Sequence, residues 1–189
     1  MVDAPETLVV DDEVCLVPCH FIDPAAFLEV VKGNIDELGE WLGWAAATYS
    51  NADVETFFEA SRHEWSEGSA HGYVINYLDR PSGTIGLARL KSPARDFEIG
   101  YWLDRKARGR GIVTKACRAL LNEAFEKLGA NLVVIRAAPG NTKSRAVAVR
   151  TGMTEEATLR MRSNNARGDL LDLVVYSITA AEWRAGRGS

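Results

Sequence analysis

The residues best placed to do chemistry are a glycine turn carrying two arginines, Arg108-Gly109-Arg110-Gly111, and an acidic side chain set in an apolar strand, Glu98. Without Cβ atoms at Gly109 and Gly111, an anion can come close to the main chain, and Arg108 and Arg110 add charge and forked donors beside it. A strand that runs through such a turn into a helix also presents unpaired N–H groups and a positive dipole end, which suits a phosphate. The plainer alternative is a cationic turn with no ligand. A dinucleotide site does not fit, because Thr114 replaces the third glycine of Gly-x-Gly-x-x-Gly and no acidic residue closes a strand about 20 residues on. A phosphate-loop NTPase is excluded, because Gly-x-x-x-x-Gly-Lys-Ser/Thr is absent.

Glu98 lies on the strand face opposite Phe97, Ile99 and Tyr101, two residues before Gly100. A bulge there would splay the strands and open a slot. A carboxylate part-buried in that slot has its pKa raised toward neutrality, as a general base requires. The other reading is an ordinary edge-strand glutamate, or a partner for Arg95.

The elements that must position these groups are legible from periodicity. Residues 97–104 alternate as a strand. Val113, Ala116, Cys117, Leu120, Leu121, Ala124, Phe125 and Leu128 fall on one face of a helix over 113–128. Gly72 to Asp79 and Thr84 to Leu90 are turn-linked strands that continue into the Glu98 strand as an antiparallel meander, with the intervening turn at 79–83. Leu132-Val-Val-Ile135 is a short continuous apolar run, expected to pair parallel to the Glu98 strand by a crossover. A helix follows over 142–150, then a hairpin of 153–162 with 170–178, then a tail helix at 180–184 and a disorder-prone end.

Upstream, Val14 to Val17 reads as a strand, with Leu8 to Val10 a short candidate strand. Asp23-Pro24 launches a helix to Gly33, a second helical run spans 34–42, and Asn51 opens a third that runs to Gly68. Trp41 and Trp44 read either as core or dimer packing, or as an aromatic wall of a cleft.

At 189 residues the chain is most simply one domain, 1–189, long enough to bury a core without staples. A net charge of −4 gives no general nucleic-acid footprint. Cys15, Cys19 and Cys117 form no C-x-x-C pair, and none of the three histidines has a companion at ligand spacing, so no metal is expected. No leader or membrane-length apolar run is apparent, which makes a reducing cytoplasm the default.

The segment Ile99-Gly-Tyr-Trp-Leu-Asp104, the turn Lys106-Ala-Arg-Gly109-Arg-Gly111 with its helix, and Asn141-Thr-Lys-Ser144 through Gly152-Met153 together resemble the GNAT acetyltransferases. Within them the resemblance is to the RimJ/RimL-type protein N-acetyltransferases, over about residues 70–178. Their hallmark is Gln/Arg-x-x-Gly-x-Gly/Ala; here Lys106 stands first.

The resemblance implies an α/β (α+β) domain with a mixed, mostly antiparallel twisted sheet of about seven strands flanked by helices and splayed at the fourth and fifth strands. It implies acetyl-CoA as cosubstrate. The diphosphate would lie on the amides of Arg108, Gly109, Arg110, Gly111, Ile112 and Val113, and the pantetheine arm beside the backbone of Tyr101, Trp102 and Leu103 and the side chain of Asn141. Glu98 would act as base through water. Ser144, by itself a helix-start hydrogen bonder, would protonate the leaving thiolate. The hairpin glutamate of RimL-type enzymes has no counterpart among Ser163, Asn164 and Asn165. The acceptor implied is a protein N-terminal amine, as on a ribosomal protein, with a small amine such as a polyamine or aminoglycoside, or a non-catalytic CoA sensor, as alternatives. A homodimer is also implied.

Overall fold

The computed structural model describes residues 6–186. The last residues of the expected disorder-prone end, and the first five, lie outside them. The strands are β1 (Leu8–Val9), β2 (Val14–Pro18), β3 (Ala70–Tyr77), β4 (Arg80–Arg89), β5 (Asp96–Leu103), β6 (Leu132–Ala137), β7 (Thr154–Asn164) and β8 (Leu170–Thr179). The helices are α1 (Pro24–Lys32), α2 (Ile35–Gly39), α3 (Asn51–Glu67), α4 (Ile112–Asn122), α5 (Thr142–Arg150) and α6 (Ala180–Gly186).

All eight strands form one sheet in the order β1-β2-β3-β4-β5-β6-β8-β7. The count is eight rather than about seven because the short run at 8–10 does form a strand, pairing Leu8 with Leu16. Neighbours are antiparallel except β5 and β6, which are parallel as the continuous apolar run at 132–135 implied.

Local chemistry sets most of the helix starts. Asp23 Oδ1 accepts from the Ala25 N–H at 3.1 Å, with Pro24 already at helical φ, and so starts α1. Asp53 accepts from both the backbone N–H and the hydroxyl of Ser50, fixing the first turn of α3. Helix α4 begins differently, from Gly111 in the left-handed conformation and with no capping side chain. Its far end widens into a π turn over Glu123–Lys127.

The two faces of the sheet bury different cores. Phe97 and Ile99 pack with Ala116, Cys117, Leu120 and Leu121 of α4 and with Val133 and Ile135 of β6. On the other face Trp102 packs with Phe27, Val31, Val54 and Phe58 of α1 and α3. Burial of each such side chain contributes about 1.5–3 kcal/mol, which is what holds α4 and α1 to opposite sides of β5.

Two local expectations are corrected. The β3–β4 turn is the pair Leu78 and Asp79, both at positive φ, so β4 starts at Arg80 rather than 84. A two-residue turn of that hand matches strand twist, and it outweighs the proline and glycine downstream. At Gly100 there is no bulge: the β4–β5 ladder passes in register through Gly86–Gly100. The sheet splays on the other side of β5. The β5–β6 ladder consists of Asp96–Leu132, Phe97–Val133 and Glu98–Val134, whereas β6 keeps its pairing with β8 up to Ala137–Val174.

Candidate active site

Beyond Glu98 one edge of β5 therefore faces a gap. Leu90 N–H donates to Asp96 O at 2.8 Å and Asp104 N–H to Ser82 O at 2.7 Å, so the even-numbered residues of β5 turn their backbone groups toward β4. By strand alternation Ile99, Tyr101 and Leu103 turn theirs into the gap. Trp102 is thereby corrected as a backbone partner for an extended ligand: its amide belongs to the β4 ladder opposite Thr84, and its ring is buried against Phe27. The carbonyl of Leu103 is also taken, by Nε and Nη2 of Arg108 at 3.3 and 3.2 Å. Beyond Ile99, the edge offers both backbone groups of Tyr101 and the N–H of Leu103.

At the end of the gap the chain makes a single 3₁₀ turn, Arg105–Ala107, and then the glycine turn. Asp104 accepts from Lys106 N–H at 3.2 Å. Buried Asn34, between α1 and α2, donates to Asp104 Oδ1 at 3.0 Å and accepts from Arg105 N–H at 3.0 Å, which ties the turn to the other layer. Gly109 and Gly111 have φ of +78° and +72°, and a Cβ built at either meets nothing within 4 Å. These glycines are required by conformation, not by crowding, and the space above them is open to a ligand.

The first helical bond from α4 is Lys115 N–H to Gly111 O at 3.0 Å. The amides of Ile112, Val113 and Thr114 thus have no helical carbonyl, and Gly111 supplies no side chain to cap them. These unpaired amides face the open side of the turn, and one part of the sequence reading is corrected. The Arg108 guanidinium is not presented to the open side: it is spent on Leu103 and on an ion pair with Glu37 of α2. Arg110 lies over the Tyr77 ring, 5.7 Å from its centroid.

On the α4–α5 side of the gap, Tyr101 crosses from β5 to α5. Its hydroxyl donates to the Ser144 carbonyl at 3.0 Å and lies 3.0 Å from Ser144 Oγ. Burial holds the phenol above its ordinary pKa range, so it is a neutral donor at neutral pH. Asn141 Oδ1 accepts from Ser144 N–H at 3.1 Å and caps α5, a role the resemblance did not assign it.

Glu98 faces the other side, as Trp102 does. It does not sit alone in an apolar slot, and its partner is not Arg95. Arg136 of β6 forks onto it, Nε to Oε1 at 2.8 Å and Nη2 to Oε2, so both oxygens are engaged. The expectation of a carboxylate in an open slot beside a bulge, or paired with Arg95, is corrected accordingly.

Around the gap, Trp41 stacks over Gly140 of the β6–α5 loop, where an added Cβ would meet the ring at 3.3 Å. Trp44 is partly exposed and tilts onto Tyr49 with centroids 5.4 Å apart. The hairpin tip that lacks the expected glutamate docks on α2, Ala166 N–H donating to Gly39 O at 2.9 Å. Arg145 donates to Tyr176 Oη at 2.9 Å and to Pro139 O at 3.2 Å, fixing the loop before Ser144. Cys117 is fully buried, with its thiol pKa pushed up by burial, so it is no acyl carrier.

Sequence reasoning missed Asn34, Glu37, Arg136 and the side chain of Tyr101. Among the described residues no group of His, Cys, Asp and Glu could hold a metal, and no helix is long and apolar enough to cross a membrane.

A sheet parted between two parallel strands, with a glycine-lined helix start at its end, is the framework of an acyl-transfer domain of the GNAT type. The model of the acetyltransferase (GNAT) domain matches residues 14–154, and the chain belongs to that family. It is 38% identical over 163 residues to YdaF of Bacillus subtilis (strain 168), a protein named for ribosomal N-acetyl transfer, covering 85% of this chain and 88% of that one. It is 28% identical over 144 residues to the ribosomal-protein-serine acetyltransferase of Escherichia coli (strain K12), covering 75% and 80%. Among solved structures, the microcin C7 self-immunity acetyltransferase MccE in complex with acetyl-CoA and AMP superposes with a TM-score of 0.85 at 26% identity, covering 93% of this chain and 97% of that one.

Proposed function

We propose that this chain transfers the acetyl group of acetyl-CoA to the N-terminal amine of a protein by direct attack, with ribosomal proteins the first acceptors to test. The observation that carries the reading is the gap between β5 and β6, which has Glu98 on one face, the Tyr101–Ser144 pair on the other, and the Gly109–Gly111 cradle at its end. The protein acceptor is supported by the names of the two relatives above.

Acetyl-CoA supplies an activated acyl carbon. The chain's own groups do the rest. Amides of residues 109–113 and Arg110 hold the diphosphate. Tyr101 backbone, the Leu103 N–H and the Asn141 amide nitrogen line the pantetheine arm as an added strand would be lined. Glu98 takes the proton lost by the amine, directly or through a water. Ser144 Oγ, oriented by Tyr101 and by the Asn141 cap, donates its proton to the departing sulfur as the C–S bond breaks and regains one through solvent, to which Glu98 returns the proton taken from the amine. Acyl transfer by the amine within a ternary complex needs no covalent enzyme intermediate, which agrees with the burial of Cys117.

The reading includes a reducing cytoplasm, which suits three free thiols. It also includes a homodimer, for which the exposed edge strand β7, with Met161 68% exposed, offers a surface. Release of free CoA thiol with acetyl-CoA and a panel of N-terminal peptides, polyamines and aminoglycosides tests the acceptor. Turnover confined to the small amines would remove the protein acceptor, and no turnover with any of them would favour a sensor.

A further inference from the structure

Glu98–Val134 is the last pair of the β5–β6 ladder, and Arg136 is the next β6 residue on that face. The Arg136 guanidinium therefore bridges the strands where they start to part. Its planar fork engages both carboxylate oxygens, with side chains 35% and 23% exposed in the mouth of the gap. A bidentate pair of this kind leaves a glutamate one orientation where its free side chain would have several. Each carboxylate oxygen has two lone pairs, and the fork uses one on each, so the outer pairs still accept from an amine or a water.

We propose that Arg136 is a positioning residue for acetyl transfer, holding the Glu98 carboxylate in one orientation across the opening between β5 and β6. This rests on Glu98 as the group that takes the amine proton. A clamp at that point does two things that a carboxylate on β5 alone cannot. It aims the acceptor's proton at a fixed place relative to the gap, and it sets the spacing of the two strands at the mouth without closing it.

The experiment compares Arg136→Gln, Arg136→Lys, Glu98→Gln and the double variant Glu98→Gln/Arg136→Gln in the full chain. It reads kcat, the KM for the best amine, acetyl-CoA affinity and Tm. The expected loss in kcat for Arg136→Gln is roughly ten- to a hundredfold, the scale on which misplacement of a reacting group acts, with acetyl-CoA affinity and Tm close to wild type. Arg136→Lys should recover part of the rate, since it restores the charge without the fork. The double variant should be no slower than Glu98→Gln, because two residues acting through one carboxylate do not add.

Wild-type kcat in Arg136→Gln beside a slow Glu98→Gln would overturn the proposal alone. So would losses that multiply in the double variant, or a rate loss matched by equal falls in Tm and acetyl-CoA affinity. An unimpaired Glu98→Gln would overturn the reading of Glu98 itself, and the proposal with it.

Discussion

The hydroxyl of Tyr101 stands 3.0 Å from both the carbonyl oxygen and Oγ of Ser144, so a phenol from β5 fixes the first turn of α5 across the gap. Tyr101→Phe should lower kcat about tenfold and cost about 1 kcal/mol of stability, the value of one buried hydrogen bond. Ser144→Ala should lower kcat by roughly a hundredfold, as loss of a proton donor to the leaving group does, with acetyl-CoA binding nearly intact. Steady-state thiol release and calorimetry on the two variants check both. Equal, unchanged rates would remove this pair from the chemistry.

The glycine turn gives a second test. Gly111→Ala meets no atom within 4 Å but must hold φ near +72°, so it should destabilise the fold by roughly 1–2 kcal/mol for the left-handed conformation. Its methyl group would also stand in the open space where the proposed function puts the phosphate. Acetyl-CoA affinity should fall by more than the stability change alone explains. Titration calorimetry beside thermal melts separates the two effects.

Arg108 and Arg110 should part company. Arg108→Ala leaves the Leu103 carbonyl without its side-chain donors and Glu37 with Lys143 at 3.7 Å as its remaining ion-pair partner, so the main loss is in stability. Arg110→Ala should leave Tm near wild type and weaken acetyl-CoA binding with a reduced salt dependence. The Arg108 guanidinium also holds the Glu37 carboxyl below its ordinary pKa. A depressed folded-state pKa means that the pair stabilises the protein above the ordinary glutamate range and that this stabilisation fades as pH falls through the folded value. Glu37→Gln should flatten that acid limb in melts from pH 6 downward. The same limb persisting in Glu37→Gln would assign it to other carboxylates.

Asn34 offers the cleanest case of a residue that acts at a distance. Its side-chain amide bonds Val30 O at 2.9 Å and Asp104 Oδ1 at 3.0 Å, and its oxygen accepts from Arg105 N–H at 3.0 Å. Asn34→Ala removes those three part-buried bonds and should cost about 1–3 kcal/mol. Because it releases the turn that leads to Gly109, acetyl-CoA affinity should drop too. Melting and calorimetry on one variant report both, and a stable variant with lower affinity would show that Asn34 serves the turn alone.

How much of this was legible in the chain follows the range of the forces involved. The β5–turn–α4 unit could be read because periodicity and glycine conformational freedom are local, and the parallel partner at 132–135 because burial on both faces leaves a continuous apolar run. Trp102 shows the limit. Alternation marks two faces of a strand, but not which edge carries which backbone groups, and here the even-numbered residues turn toward β4.

Partner choice was invisible for the same reason. Glu98 meets Arg136 across 38 residues, Tyr101 meets Ser144 across 43, and Arg108 meets Glu37 across 71. Arg95 was the nearer candidate in sequence for Glu98, yet the register of β5 against β6 brings Arg136 to it instead.

The parallel seam has a mechanical consequence. Strands β1–β5 and strands β6–β8 form two antiparallel plates, joined directly by three residue pairs. An extended molecule laid along Tyr101 and Leu103 would act as an extra slat between the plates and stiffen the whole sheet. Amide exchange at Tyr101 and Leu103 should slow when acetyl-CoA binds, and the plates should move less against each other, so that occupancy of one substrate sets the shape met by the other.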